Sequence, residues 1–387
     1  MKSYRNIVSL AVTLVLLVAL VFSSCHEGRG EHGGADGDTV SLKYARLLTM
    51  VDYGDYTEVA VANPWRENAE LHRYLLVPKG KDGDETARRL GAMRNGGRHQ
   101  DIVRTPLEKS VVFTAPHCQL LYDLHAQRAI RGVCDMQYVN IADLHRRKDI
   151  VDCGSGMQPD IERIIELRPE ALLISPFENS GGYGKLDKMG IPIIETADYM
   201  EYSPLGRAEW MKFYALLFGR KAEADSLFGA VEKSYLSLRR KAAAMPRGRS
   251  VLTERKTQGV WYVPGGNSTI GILLHDAHAR YPWAGDDHSG SLALGPEQVI
   301  DRGDDIDVWA FKRYGGKRMT PADLLAEYPG YAQLRAFRLG CVYQCDTGSK
   351  PFFELTAFHP DILLREFIIL AHPQKTKGWG GLRFFDK

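Results

Sequence analysis

The apolar positions of this chain change period several times, and each change marks a segment. Residues 7–22 are almost continuously apolar, with Lys2 and Arg5 ahead of them. A polar, Gly-rich stretch follows. Over residues 44–77 short β-rich runs return, at 47–51 and 57–61 around the turn Tyr53-Gly54-Asp55, and at 71–77; this predicts a small sheet with hairpin character. Residues 79–101 are polar and Gly-rich and read as a loop. From Pro106 strands and helices alternate. Strands are predicted at 110–114, 130–134, 172–175 and 191–195, with helices opened by Pro116, around Glu162, and over 183–189. That alternation predicts a mainly parallel sheet flanked by helices.

Residues 203–245 have helical spacing instead, carried by Trp210, Phe213, Leu216, Leu217, Leu227, Val231 and Leu238, and Gly219 divides them into two helices. Ser203-Pro204 supplies a cap and a first-turn proline. The α/β pattern then restarts, with strands at 250–253, 260–263, 308–311 and 341–345 and helices at 269–278, 324–337 and 361–372. The predicted fold class is α/β, with two lobes, each a mainly parallel sheet flanked by helices, joined by a long rigid helix and preceded by a small β extension. The expected segments are 1–25 (signal peptide), 26–42 (tether), 43–106 (β extension), 107–202 (N-terminal lobe), 203–246 (helical connector) and 247–387 (C-terminal lobe).

A short acidic phrase occurs twice. The first copy is Pro159-Asp160-Ile161-Glu162-Arg163-Ile164-Ile165, and the second is Gly295-Pro296-Glu297-Gln298-Val299-Ile300. Each reads as a turn and a half of helix, a break, then a buried strand. Glu162 and Glu297 hold the same place, with an aliphatic pair two and three residues later. The helix dipole favours a glutamate in a first turn, which suffices for one copy. Two copies in equivalent settings predict two similar lobes, each presenting one carboxylate.

The N-terminus has a basic start, an apolar run and small residues before a cysteine. Val21-Phe22-Ser23-Ser24-Cys25 looks like a bacterial lipobox, with Phe22 where Leu is commoner, so Cys25 is the expected lipidation site. An uncleaved anchor helix is the alternative, but the run is short of the roughly 20 residues that span a bilayer. The tether cannot bury enough apolar surface to fold. The expected location is therefore a lipid anchor on a membrane outside the cytoplasm, in the periplasm. Net charge is +2, from 50 basic and 48 acidic side chains, which leaves no electrostatic footprint for nucleic acid. With Cys25 lipidated, Cys118, Cys134, Cys153, Cys341 and Cys345 remain, an odd number that leaves at least one free or paired between chains. Cys134 with Cys153 and Cys341 with Cys345 are the available pairs. No CxxC spacing, GxSxG, HExxH or phosphate-loop frame is present.

Several of these segments together resemble the substrate-binding proteins of ABC importers, in the group whose two lobes are joined by helices and whose members bind iron-siderophores, haem or vitamin B12. The resemblance covers about residues 110–372. It is carried by Ala115-Pro116, Ile130-Arg131-Gly132-Val133, Gly156-Met157-Gln158, Leu167-Arg168-Pro169-Glu170-Ala171, Gly219-Arg220-Lys221-Ala222-Glu223-Ala224 and Gly265-Gly266-Asn267-Ser268. It implies that one glutamate per lobe, here Glu162 and Glu297, pairs with arginines of the permease. It also implies a monomer that partners an ABC permease and its ATPase, has no intrinsic cofactor and performs no catalysis. The implied ligand is an iron chelate, a ferric siderophore or haem, with cobalamin as the alternative. The extension lies outside the family pattern. Met136, Pro176 and Ser291 stand where the B12-binding member has aromatics, whereas Tyr262 keeps that character, which weakens the cobalamin reading.

Ligands of open α/β sheets bind outside the carboxyl ends of the strands. The loops there carry the candidate ligand contacts His117, Met136, Tyr138, Phe177 and Glu178, together with Tyr183, Tyr262 and His288. Aromatic faces suit a large planar or catecholate ligand, and Arg255 and Lys256 could face an anionic chelate. Trp261 and Trp283 read first as core. His117 and His288 are the candidates for haem iron. Two rivals remain. A bare metal-ion binder predicts that His117, Glu178, His275 and His288 converge. A lipoprotein enzyme or sensor reusing the lobes would not need Glu162 and Glu297 exposed.

Overall fold

A computed structural model of the chain describes residues 37–93, 100–178 and 182–387. The expected signal peptide, Cys25 and the tether up to residue 36 lie outside the described residues, as does Asn179-Ser180-Gly181. Among the described residues no helix is long and apolar enough to cross a membrane.

The extension is a five-stranded sheet. Strands β1 (Asp38–Thr39), β2 (Leu48–Asp52), β3 (Thr57–Ala62) and β4 (Glu70–Pro78) form an antiparallel meander. The end of the expected tether thus pairs as β1. Residues 79–101, expected as a loop, instead hold helix α1 (Lys81–Met93), which crosses over to β5 (Gln100–Thr105), parallel to β4. The helix escapes a reading by apolar spacing because the residues it buries, Gly83 and Thr86, are not large apolar side chains. Its first-turn Asp82 and Asp84 match the dipole. Gly83 is required there, since a Cβ would sit 1.8 Å from the Pro78 carbonyl oxygen.

The N-terminal lobe runs β6 (Ser110–Val112), α2 (Ala115–Asp123), β7 (Ile130–Val133), α3 (Ala142–Arg146), β8 (Val151–Asp152), α4 (Ile161–Leu167), β9 (Ala171–Ile174) and β10 (Ile193–Glu195). Its sheet is parallel throughout, in the order β10-β9-β6-β7-β8. The strands read as unbroken apolar runs because helices cover both faces. The helix expected over 183–189 shrinks to a single 3-10 turn, Leu186–Lys188. Gly182, Gly184 and Gly190 flank it at positive φ, which breaks the helical path.

The connector is α5 (Pro204–Glu209), α6 (Met211–Phe218) and α7 (Lys221–Ala243). Ser203 Oγ accepts the Gly206 N–H at 3.0 Å as the N-cap, and Gly219, at φ 66°, ends α6. The 23-residue α7 packs on the last helix of the chain.

The C-terminal lobe contains β11 (Val251–Leu252), β12 (Lys256–Thr257), β13 (Val260–Pro264), α8 (Thr269–Asp276), β14 (Ser291–Leu294), α9 (Pro296–Ile300), β15 (Val308–Arg313), α10 (Pro321–Glu327), α11 (Arg335–Arg338), β16 (Val342–Asp346), α12 (Phe352–Thr356) and α13 (Pro360–Ala371). Strands β11-β15-β16 are parallel, and β12-β13-β14 form a separate antiparallel sheet. Trp261 and Trp309 fill the core between them, and both indole N–H groups donate to the Glu254 carbonyl, at 2.9 and 2.8 Å.

Buried glutamates fasten the peripheral segments. Glu209 accepts the backbone N–H groups of Lys43, Tyr44 and Ala45 at 3.0, 2.7 and 3.0 Å, and Lys212 Nζ lies at 2.9 Å. Burial pushes its carboxyl pKa up, yet these donors outweigh burial and hold it below the ordinary range. Glu201 takes Arg46 N, Leu47 N and the Trp210 indole. At the other end, Glu366 receives Arg383, Phe384 and Phe385 N–H groups, and there burial wins and raises the carboxyl.

Candidate functional site between the lobes

The loops that leave the carboxyl ends of the strands meet in a seam. After β7, Asp135 adopts a left-handed conformation (φ 52°) and starts the turn Met136–Tyr138. Its carboxylate accepts Gly156 N–H at 3.0 Å, which ties this turn to the loop after β8. From the other lobe, Tyr314 follows β15. Its ring meets that of Tyr138 edge to face, 5.1 Å between centroids at 68°, and its hydroxyl lies 3.3 Å from the Gln137 carbonyl. Deeper in the seam, Asn140 donates from its backbone to Glu354 at 2.6 Å and from its side chain to the Thr347 carbonyl at 2.8 Å. His359 Nε2 lies 2.9 Å from Asp123 Oδ2.

Of the sequence candidates, Tyr138 stands on this seam, and Phe177, Glu178, Tyr262 and His288 are exposed on their own lobes. Tyr138 is 51% exposed, Phe177 and Tyr262 are similarly open, and Glu178 is exposed. Tyr262 projects from β13, opposite Ala293. His288 is exposed and held by Asp286, with Nδ1 2.9 Å from Oδ1.

Others are corrected. His117 is 2% exposed and faces the core rather than the seam. Thr114 Oγ1 holds its Nδ1, and its Nε2 lies 2.8 Å from Asp198 and 3.1 Å from the Tyr214 hydroxyl. Burial would raise the Asp198 carboxyl, but His117 and Arg207 outweigh it and bring the pKa down to about 2. Both ring nitrogens of His117 are therefore committed, and neither is left to offer a ligand. Tyr183 is half-buried, and its hydroxyl donates to Glu195 at 2.8 Å. Burial and that carboxylate push the phenol far up. Met136 packs against the main core. Arg255 and Lys256 are spent within their own lobe, Arg255 on Glu327 and Phe311, Lys256 over the Tyr328 ring. His117, Glu178, His275 and His288 do not converge. Among the described residues no three His, Cys, Asp or Glu side chains are placed to hold a metal ion. Cys118, Cys134, Cys153, Cys341 and Cys345 are all free thiols, so neither expected pair forms. A pocket of about 330 Å³ lies instead at the amino ends of β7 and β8, lined by Arg128, Arg131, Arg147, Asp143 and Asp149. Its Arg131 and Arg147 are already bridged by Asp149.

The two repeat glutamates lie in the first turns of α4 and α9 and are exposed. Asp160 caps α4 by accepting Arg163 N–H at 3.1 Å, and Gln298 closes α9 by accepting Gly295 N–H at 2.8 Å. The capping work is thus done by neighbours. Among the described residues neither Glu162 nor Glu297 has an ion-pair partner. Tyr314 was not among the sequence candidates. An aromatic directly after a buried strand and before two glycines was the available signal.

The family model for periplasmic binding proteins matches residues 111–347. An uncharacterized lipoprotein of Methanocaldococcus jannaschii is 23% identical over 356 residues, covering 88% of this chain and 84% of that protein. Among solved structures, the molybdate periplasmic binding protein MolA of Haemophilus influenzae superposes with a TM-score of 0.55 at 16% identity, over 70% of this chain and 88% of that one. The periplasmic haem-binding protein RhuT of Roseiflexus sp. gives a TM-score of 0.52 at 20% identity, over 67% of this chain and 99% of its own.

Proposed function

The chain belongs to the periplasmic binding protein family, and we propose that it is a lipid-anchored substrate-binding protein of an ABC importer that captures an iron complex, a ferric siderophore or haem, between its lobes and delivers it to the permease. The observation that carries this reading is the pair Glu162 and Glu297. Each lobe offers one exposed carboxylate on an equivalent short helix, and neither is used to hold the fold. Carboxylates left free in this way steer and register a partner bearing arginines. The connector supports the delivery step, because helices rather than extended strands join the lobes and let them move little.

The ligand class rests on the exposed aromatics Tyr138, Phe177 and Tyr262. Their faces suit a conjugated or catecholate ligand. A haem-binding protein among the similar structures agrees with this. The anchor rests on the lipobox at Cys25 and on relatives named as lipoproteins. The ligand binds and leaves unchanged, and ATP hydrolysis by the partner ATPase drives release.

The test joins binding to transport. The purified mature protein is incubated with haemin, ferric siderophores and cyanocobalamin and examined by absorbance and native mass spectrometry. The double variant Glu162→Arg/Glu297→Arg is then assayed for uptake. Binding of an iron complex, with uptake lost and binding kept in the variant, supports the proposal. Uptake that survives the double reversal, or binding of cobalamin alone, overturns it.

A further inference from the structure

The loop after β15 is built to hold one aromatic side chain in the open. Arg313 ends the strand, and its Nη1 turns back to donate to the carbonyls of Gly315 and Gly316 at 2.5 and 3.1 Å. Asp346, at the end of the neighbouring β16, accepts Gly315 N–H at 2.9 Å and Gly348 N–H at 3.0 Å. Gly315 and Gly316 sit at φ 60° and 71°, a conformation costly for other residues. Two adjacent strands therefore fix the loop from below, and still Tyr314 is 58% exposed. Among the described residues its hydroxyl and ring reach the turn after β7 in the other lobe.

An edge-to-face pair engages the edge of one ring and the face of the other. The Tyr138–Tyr314 pair thus leaves ring faces open on a seam to which each lobe contributes one ring. Lys317, exposed three residues after Tyr314, puts a cation on the same loop. We infer that Tyr314 is a specificity-determining ligand contact, and that with Tyr138 it forms a two-lobe aromatic clip for a flat conjugated complex with anionic groups at its rim. This inference rests on the importer reading above, since it needs a ligand in the seam. A fixed loop suits the role, because an aromatic contact already in place loses little conformational entropy on binding.

The experiment compares wild type, Tyr314→Phe and Tyr314→Ala, each as full mature protein, by fluorescence-quenching titration. The probes are haemin, a ferric tricatecholate and a ferric trihydroxamate lacking aromatic rings. Thermal midpoints serve as the folding control. Removing an aromatic anchor from a binding site weakens affinity by about tenfold or more. Tyr314→Ala is expected to lose that much for haemin or the tricatecholate and less than about threefold for the trihydroxamate, while Tyr314→Phe stays within about threefold throughout. Wild type that binds a flat probe, with Tyr314→Ala binding it equally well, overturns the clip and leaves the importer reading intact. Equal loss in the Phe and Ala variants also overturns it, because the hydroxyl and not the ring would then be the contact. Wild type that binds no iron complex overturns the iron-complex reading of the site, and the clip with it.

Discussion

Glu209 lies on the connector with no exposed surface, and Glu162 lies on the N-terminal lobe with its carboxylate in solvent. Glu209 is surrounded by donors: three consecutive backbone N–H groups and a lysine. Glu162, like Glu297, has helix-capping neighbours that make its own carboxylate dispensable to the helix. The contrast separates a carboxylate that holds the fold from one that the proposed function assigns to a partner. Exposure alone would not do so, since most glutamates are exposed. The informative combination is exposure, equivalent placement in two lobes and capping work already done by another side chain.

The largest expected effect comes from breaking the structural half of this comparison. Glu209→Ala strands the Lys43, Tyr44 and Ala45 N–H groups and leaves the Lys212 ammonium without its carboxylate in a mostly buried setting. Removing one partner from a buried charged network typically costs about 3–5 kcal/mol. Denaturant unfolding should show a loss of that order, and limited proteolysis should cut first in the extension, which is then no longer fastened to α5. A loss below about 1 kcal/mol would mean that this region is held by apolar packing alone.

A smaller effect, and a pH-dependent one, is expected where the extension meets the N-terminal lobe. His72 on β4 is buried between two carboxylates, with Nδ1 3.0 Å from Glu195 and Nε2 3.2 Å from Asp101. The Tyr183 hydroxyl binds the other Glu195 oxygen, and the His72 ring stacks on Tyr74. Ionised carboxylates only accept, so both ring nitrogens must donate, which requires the imidazolium. Burial opposes that charge, but the Asp101 and Glu195 hydrogen bonds prevail and raise the His72 pKa. The sign follows. A histidine raised above its ordinary value of about 6.5 gives its full stabilisation below that pH and loses it as pH climbs through the raised folded value. His72→Gln should cost about 2 kcal/mol at pH 6, the scale of charge-assisted hydrogen bonds, and progressively less as pH rises through the raised folded value. Parallel stability curves for wild type and variant over that range would refute the charged clamp.

The same distinction between satisfied and unsatisfied groups explains what was legible in the sequence. Strands of the N-terminal lobe could be read because burial on both faces leaves unbroken apolar runs, as at Ala171–Ile174. The acidic repeat could be read because it recurs. Helix α1 could not, since the residues it buries, Gly83 and Thr86, are not large apolar side chains. His117 looked like a loop histidine after a strand, but its partners Asp198 and Tyr214 are 81 and 97 residues away in sequence, so nothing local announced its burial. Tyr314 was hidden by the opposite accident. The Arg313 and Asp346 contacts that fix it appear only once β15 and β16 are neighbours.

The smallest stability effect is expected at Glu162 and Glu297, and there the comparison is sharpest. If these residues served only to complement the helix dipole, reversing each would cost about 0.3–1 kcal/mol and do nothing else. The dipole argument is weak for such short helices, whose first turns are already capped by Asp160 and Gln298. Glu162→Arg and Glu297→Arg should therefore each shift unfolding by no more than about 0.5 kcal/mol, the ordinary scale of surface substitutions. Glu162→Gln and Glu297→Gln should fall within the same range. Transport should not follow stability. On the proposed docking to permease arginines, an arginine is repulsive whereas glutamine only removes the attraction, so uptake should fall in the order wild type, glutamine, arginine while every variant unfolds at nearly the same midpoint. A variant series in which uptake tracks the unfolding midpoint instead would return both glutamates to the structural class that Glu209 occupies.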